Sequence, residues 1–440
     1  MKEFINFLSK HGYFSLYIIS FFMIAQLIFV IRYSVDVPFL DQFEQVDLLK
    51  NPTWQNIFNQ HNEHIYIFPK IFFLILAKIT HWNIRVETFF NWLFLQCSAF
   101  LLWGILKKNV QKENAWMAAI LMCFFLTPQY FDNLLCGFQN CFQINLLAAI
   151  SAVYILSMIK ESWLRLHLAV IAGIITTFSG ANGVFLWVSL FPLVFIGNSS
   201  IGHMVYRRSR VLRIIYWIIV TVIVMKIYFW RYNAQMPYFP PLAYPGVYPK
   251  QFILYFFTCL GASFFPNTGC FDKFVYVHTV FGAILCLIFI LGLIFGLFNV
   301  RKNIAKVCLI IFILLTVAAI SLGRGNLNLA NALSTRYRLY SILLPILMSG
   351  MLISGPGIKT RFGKPLLILL IAGMLIGIFT GWREGIREGR DWYARQQFNR
   401  KIMYSYQTAT NSELERLHCC PDQTRETISV LKELKYSVFR

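Results

Sequence analysis

Residues Phe274–Phe298 run for 25 positions without a formal charge, and His11–Ile31 run for 21. About 20 apolar residues in a helix cross the hydrocarbon of a bilayer. A chain with several such runs is committed to a membrane, where only structures that satisfy their own backbone hydrogen bonds can span. Composition agrees. Apolar residues make up 58% and charged residues 13%, and mean hydropathy is +0.59. The charged share is about half that of an ordinary soluble domain. A water-soluble enzyme, a secreted disulfide miniprotein, a collagen and a disordered chain are excluded. The net charge of +21 does not mark a nucleic-acid binder, because the basic residues are scattered between apolar spans, where they orient the chain. The reading is an all-α polytopic membrane protein.

Loop charge sets the topology, since short inner loops collect Lys and Arg. With the N-terminus inside, about eleven transmembrane helices are expected, at 13–31, 88–106, 115–130, 140–159, 166–179, 183–197, 211–230, 274–298, 305–322, 337–355 and 365–382. Lys2 and Lys10 precede an uncleaved anchor. Lys107, Lys108 and Lys112, then Arg207, Arg208, Arg210 and Arg213, fall inside. Ile65–Thr80 is short and carries Pro69, Lys70 and Lys78. If it crossed, Lys107, Lys108 and Lys112 would lie outside, so it is expected as a partly embedded helix on the outer face. The division is a transmembrane domain over 1–382, outer loops at 35–87 and 231–273, and a helical outer tail over 383–440. In that tail Ser412-x-x-Glu415 resembles a capping box, and Thr424–Tyr436 has helical periodicity. The 179–183 hairpin joins two short spans and is expected to stop below the outer surface.

Five of the 19 acidic residues cluster in the first outer loop: Asp36, Asp41, Glu44, Asp47 and Glu63. A partly desolvated carboxylate there can take a proton from an attacking hydroxyl, or hold a divalent ion with oxygen ligands. A solvated loop is the plain alternative. His61-Asn62-Glu63-His64 spaces two histidines i, i+3, near one helix face. That is not the metalloprotease spacing, and the group is expected to bind sugar hydroxyls or brace the carboxylate loop. The segment Thr127–Asn140, with Asp132 and Gln139, mixes aromatics and amides suited to carbohydrate. A simple helix connection would look similar.

Arg324, Arg336 and Arg338 lie at outer helix ends, against the general charge rule. Guanidinium matches phosphate geometry, so the trio is expected to hold a lipid phosphate, with snorkelling as the plain alternative. Tyr238–Pro249 holds four prolines and is expected to form a wall or lid. The ten cysteines show no C-x-x-C pair and no His/Cys ligand spacing, and a vicinal Cys419–Cys420 disulfide is not expected.

An acidic loop after the first span, an interfacial helix within it, many spans and an outer C-terminal extension resemble the GT-C superfamily of polyprenyl-phosphate-sugar glycosyltransferases. Asp36…Asp41-Gln42, Asn62-Glu63-His64, Gly137-Phe138-Gln139 and Ser334-x-Arg336-Tyr337 look like Gtr-type serotype-converting O-antigen glucosyltransferases. The resemblance implies a bacterial inner-membrane enzyme with a cytoplasmic N-terminus and a periplasmic C-terminus. It implies an undecaprenyl-phosphate hexose donor, with glucose as the expected hexose, and a lipid-linked or surface polysaccharide acceptor. It implies Asp41 or Asp36 as base or metal ligand, and no cofactor beyond an optional divalent metal. Arg324, Arg336 and Arg338 would take the donor phosphate. Glu44, His61, Asn62, Glu63, His64, Asp132, Gln139 and Tyr337 would contact sugar or acceptor. A lipid-linked-sugar flippase would place polar groups at mid-membrane depth. An O-antigen polymerase or ligase would not need the acidic first loop.

Overall fold

In a computed structural model the chain is described over residues 12–111, 114–196, 206–230, 232–233, 244–264 and 271–440. Lys2, Lys10, Lys112 and the first half of the Tyr238–Pro249 segment lie outside these residues. Every named element among them is helical. In chain order the principal helices are α1 (Gly12–Tyr33), α2 (Ile67–Thr80), α3 (Ile84–Lys107), α4 (Ala115–Phe125), α5 (Asn140–Met158), α6 (Trp163–Thr177), α7 (Val184–Ile196) and α8 (Tyr206–Phe229). They continue as α9 (Pro249–Gly261), α10 (Phe271–Ile294), α11 (Ile304–Arg324), α12 (Thr335–Ser341), α13 (Leu343–Ser354), α14 (Gly363–Tyr404) and α15 (Pro421–Glu433).

Eight helical runs among the described residues are long and apolar enough to cross a membrane, and three shorter apolar helices lie at 116–130, 163–177 and 181–196. The all-α polytopic reading therefore holds. The spanning helices leave large apolar side chains outward, such as Phe21, Phe100, Ile294 and Phe379, as lipid-facing surface requires. α13 differs: Leu343 through Ile353 are all buried. A helix apolar all round belongs at the centre of a bundle, and α13 occupies that place.

The two ends of the bundle differ in charge. Asn109, after α3, donates to Lys302 O, before α11, at 2.9 Å, and Arg165 of α6 donates to Leu156 O near the end of α5 at 3.1 Å. Lys107, Lys302 and Arg165 thus gather at one end. The starts of α3, α5 and α12 and the end of α11 lie at the other, with the acidic loop.

Three expectations change. Residues 231–273 hold a 13-residue helix, α9, packed along α10. A Cβ on Gly261 would lie 1.8 Å from His278 O, and one on Gly282 1.9 Å from Phe257 O. Glycine at both contacts lets the backbones meet. The α14 helix does not stop at Trp382 but runs 42 residues to Tyr404, because Arg383–Lys401 contains neither proline nor a strong helix stop. Its extension packs Trp392 against Phe39 with ring centroids 5.1 Å apart. The capping box in the tail is Thr410–Glu413, two residues before the expected pair. Both satisfy the same S/T-x-x-E pattern, and the chain uses the earlier one.

The tail also grips the first loop. Leu40 N–H donates to Leu417 O at 3.0 Å, Ser437 N–H donates to His81 O at 2.9 Å, and Arg440 pairs with Asp36 at 2.9 Å.

Candidate active site

The end of the bundle opposite the basic cluster encloses a cavity of about 800 Å³. Nine of the thirteen residues expected at a site line it: Asp41, His61, Asn62, Glu63, His64, Gln139, Arg324, Arg336 and Tyr337. Its other walls are the 181–182 turn, Tyr228 in the last turn of α8 and Tyr232 beyond it, and the α11 face carrying Leu315, Ala318, Ala319 and Leu322. One wall is charged and aromatic, and another is aliphatic.

His61–His64 is not the head of a helix. It is a tight turn closed by His61 N–H to His64 O at 2.8 Å and His64 N–H to His61 O at 2.9 Å. Asn62 takes φ 48°, a left-handed conformation that asparagine tolerates better than most residues. The turn sends the histidines to different partners. His61 Nδ1 lies 3.1 Å from Glu44 Oε2, and its Nε2 lies 3.8 Å from Asp41 Oδ2. Burial works against charge on this ring, but the two carboxylates outweigh it and lift its pKa to about 9. The imidazolium works back on Asp41. Burial raises that carboxyl, but His61, Arg336 and His418 together hold it below the ordinary range.

His64 Nδ1 accepts the Ala181 N–H at 2.9 Å, which leaves Nε2 to face Glu63 Oε1 at 3.4 Å. Glu63 also takes Arg324 at 2.9 and 3.2 Å. Burial opposes its charge, yet His64 and Arg324 hold it near 2. Tyr66 stacks on His64 with centroids 4.8 Å apart, and Phe138 meets Tyr66 edge-on at 5.8 Å.

Arg336 is different. No acidic side chain lies within ion-pair distance of it among the described residues. Its carbonyl accepts from Asn133 Nδ2 at 3.1 Å, and the next acid, Asp132, is hydrogen-bonded by Thr335. Asp132 and Asn133 therefore fix the backbone that delivers Arg336. A second, smaller cavity of about 60 Å³ shares Asp41, Phe138, Gln139 and Arg336 with the first and adds Asp132 and Trp392.

A buried tie holds the Asp41 side in place. Gln42 donates to Glu87 Oε2 at 3.0 Å and Trp82 donates to Glu87 Oε1 at 3.1 Å. Gly137 packs against them so closely that a Cβ there would lie 1.9 Å from Glu87 Oε2 and 2.6 Å from Gln42 Nε2.

Four expected residues stand off the large cavity. Asp36 accepts the Ile84 N–H at 2.9 Å and pairs with Arg440, so it fastens α3 and the chain end. Arg338 is 2% exposed and donates to Gln129 O and Leu333 O. Two positions on from Arg336 along α12, its side chain points into the bundle. Glu44 backs His61, and Asp132 faces the smaller cavity. Sequence reasoning missed Asn182, whose amide donates to Asn145 Oδ1 at 3.1 Å and Thr316 Oγ1 at 3.2 Å. The signal was the shortness of the 179–183 hairpin, which brings its turn to the cavity. The oxygen-rich Asp41–Glu44 pair could take a hard cation, though His61 already occupies the space between those carboxylates.

The chain matches no protein-family model and no curated protein.

Proposed function

We propose that the protein is a GT-C-like membrane glycosyltransferase that moves a hexose from undecaprenyl phosphate to a lipid-linked or surface polysaccharide such as O-antigen. The observation that carries this reading is one cavity wall shared by Asp41 and the unpaired Arg336. A carboxylate and a free guanidinium at one void fit the two ends of a group transfer from phosphate. The aliphatic α11 face suits the first units of a polyprenyl chain, and the Tyr66, Phe138, Tyr228 and Tyr232 rings suit a sugar. In this reading all eleven apolar helices cross, and the basic end lies in the cytoplasm.

The acceptor hydroxyl oxygen attacks the anomeric carbon while Asp41 takes its proton. The bond from that carbon to the phosphate oxygen breaks, and its electron pair leaves with polyprenyl phosphate. Arg336 meets the growing phosphate charge, and such differential stabilisation lowers the barrier. Arg324 is tied to Glu63 and sets the edge of the phosphate pocket. A single displacement inverts the anomeric centre. Asp36 and Arg338 hold the scaffold and take no part in the chemistry.

Separate Asp41→Asn and Asp36→Asn variants test this, with transfer from synthetic undecaprenyl-phosphate glucose measured at matched protein levels. Asp41→Asn should lose at least ~100-fold, in the range of removing a general base. Asp36→Asn should keep its rate per folded molecule. Full turnover by Asp41→Asn overturns the assignment.

A further inference from the structure

We infer that His418, Cys419 and Cys420 form a binding site for a thiophilic divalent cation of the zinc class, with Glu44 beside it. The three residues are consecutive and lie just before α15, in the tail segment pressed on the first loop. Sequence reasoning passed over them because contiguous ligands match no spaced metal motif. Both thiols are exposed, so neither is committed to apolar packing. The imidazole is buried and stacked on Phe43, and its Nε2 is the nitrogen turned to the Cys419 thiol.

The distances fit a coordination shell. Cys419 Sγ lies 3.4 Å from Cys420 Sγ and 3.9 Å from His418 Nε2. All three ligand atoms fall within 4.8 Å of one another. Zinc bonds of about 2.3 Å to sulfur and about 2.0 Å to nitrogen put the corners of a tetrahedron roughly 3.3–3.8 Å apart. The trio is already near that spacing. Glu44 Oε1 is 3.7 Å from His418 Nε2, beside the trio but outside it, so water supplies the fourth ligand. Cys420 is the N-cap of α15, where the helix's positive end favours negative charge. Sulfur and imidazole select zinc-class over magnesium-class ions, which separates this site from a hard-ion site at Asp41.

The site would stiffen the tail where it meets the first loop. Glu44 reaches His418 with one oxygen and His61 with the other. A bound cation would therefore sit one side chain from the cavity without entering it.

The test uses the full-length protein in detergent with a thiol-free reductant. Cobalt is titrated in while thiolate-to-metal charge-transfer absorption is followed, and zinc is then added as competitor. One equivalent should bind with a thiolate band that zinc abolishes. Cys419→Ser with Cys420→Ser changes only exposed atoms and should remove the band and weaken zinc at least ~100-fold, beyond the usual cost of losing an outer-shell partner. Asp41→Asn should leave both unchanged. The proposal is overturned if the reduced wild type shows no thiolate band, if the double serine variant binds equally well, or if Asp41→Asn abolishes binding.

Discussion

His61→Gln isolates what the imidazolium does for the proposed base. In the native protein the ring is charged up to about pH 9. Moving from an ordinary 6.5 to about 9 corresponds to about 3 kcal/mol of preference for the charged ring, at about 1.36 kcal/mol per pH unit. Asp41 and Glu44 share that coupling. Their side chains are 42% and 46% exposed, so water screens the part each receives. The part that falls on Asp41 acts with Arg336 and His418 to hold its carboxyl below the ordinary range. Glutamine keeps size and hydrogen bonding but removes the charge. Burial, the largest influence on Asp41, then acts with less opposition, and its pKa rises. The acid limb of the transfer rate should therefore move to higher pH. The assay is the initial transfer rate per folded protein from about pH 4 to about pH 9, bracketing the carboxylate and imidazole ranges. An acid limb that stays put, or moves down, refutes the coupling. The stability effect has the opposite pH sense. A ring with raised folded pKa stabilises the loop fully below about 6.5 and loses that contribution as pH rises through about 9. Protection of the 59–66 amides, relative to their intrinsic base-catalysed exchange, should therefore fall above that point in the wild type and not in the variant.

The helical plan was legible because lipid imposes it. Runs such as Phe274–Phe298 have one solution, and the Ile65–Thr80 segment, read as a short helix, folds as the 14-residue α2. Inside a run, direction was not legible. Arg336 and Arg338 are two positions apart, and residues at i and i+2 point to different faces of a helix. One reaches the cavity and the other the buried backbone of Gln129 and Leu333, and choosing between them requires the phase of α12. Asp36 and Asp41 posed the same problem in an irregular loop. What decides it is the long-range partner: Arg440, 404 positions away, claims Asp36, and no local pattern encodes that distance. His61–His64 read as helical by spacing but folds as a turn, since reciprocal backbone bonds and a left-handed Asn62 outweighed a spacing that two histidines share with many structures.

Three further outcomes follow from the same geometry. Arg336→Ala should slow transfer at least ~30-fold, about 2 kcal/mol of barrier, with Arg336→Lys partly rescuing it; unchanged turnover for Arg336→Ala would remove it from the mechanism. Asp36→Asn should release the chain end, seen as faster proteolysis after Arg400–Lys401 at unchanged donor binding, whereas resistance equal to wild type would show that the Arg440 pair holds nothing. The last is Gly137→Ala. The added methyl would sit 1.9 Å from Glu87 Oε2 and 2.6 Å from Gln42 Nε2, distances that atoms cannot share, so the bond between those side chains must open. Glu87 is 1% exposed and cannot turn to water, and a buried polar group that loses a partner costs about 1–3 kcal/mol. Gln42 adjoins Asp41 and Gln139 follows Gly137 by two, so the disturbance falls on the catalytic wall and not on the apolar helices. Thermal stability in detergent should fall and turnover should fall with it, while Glu87→Gln in the same background, which keeps the side chain's size, should not restore either. Native turnover in Gly137→Ala would mean that the Gln42–Glu87 tie does not position Asp41.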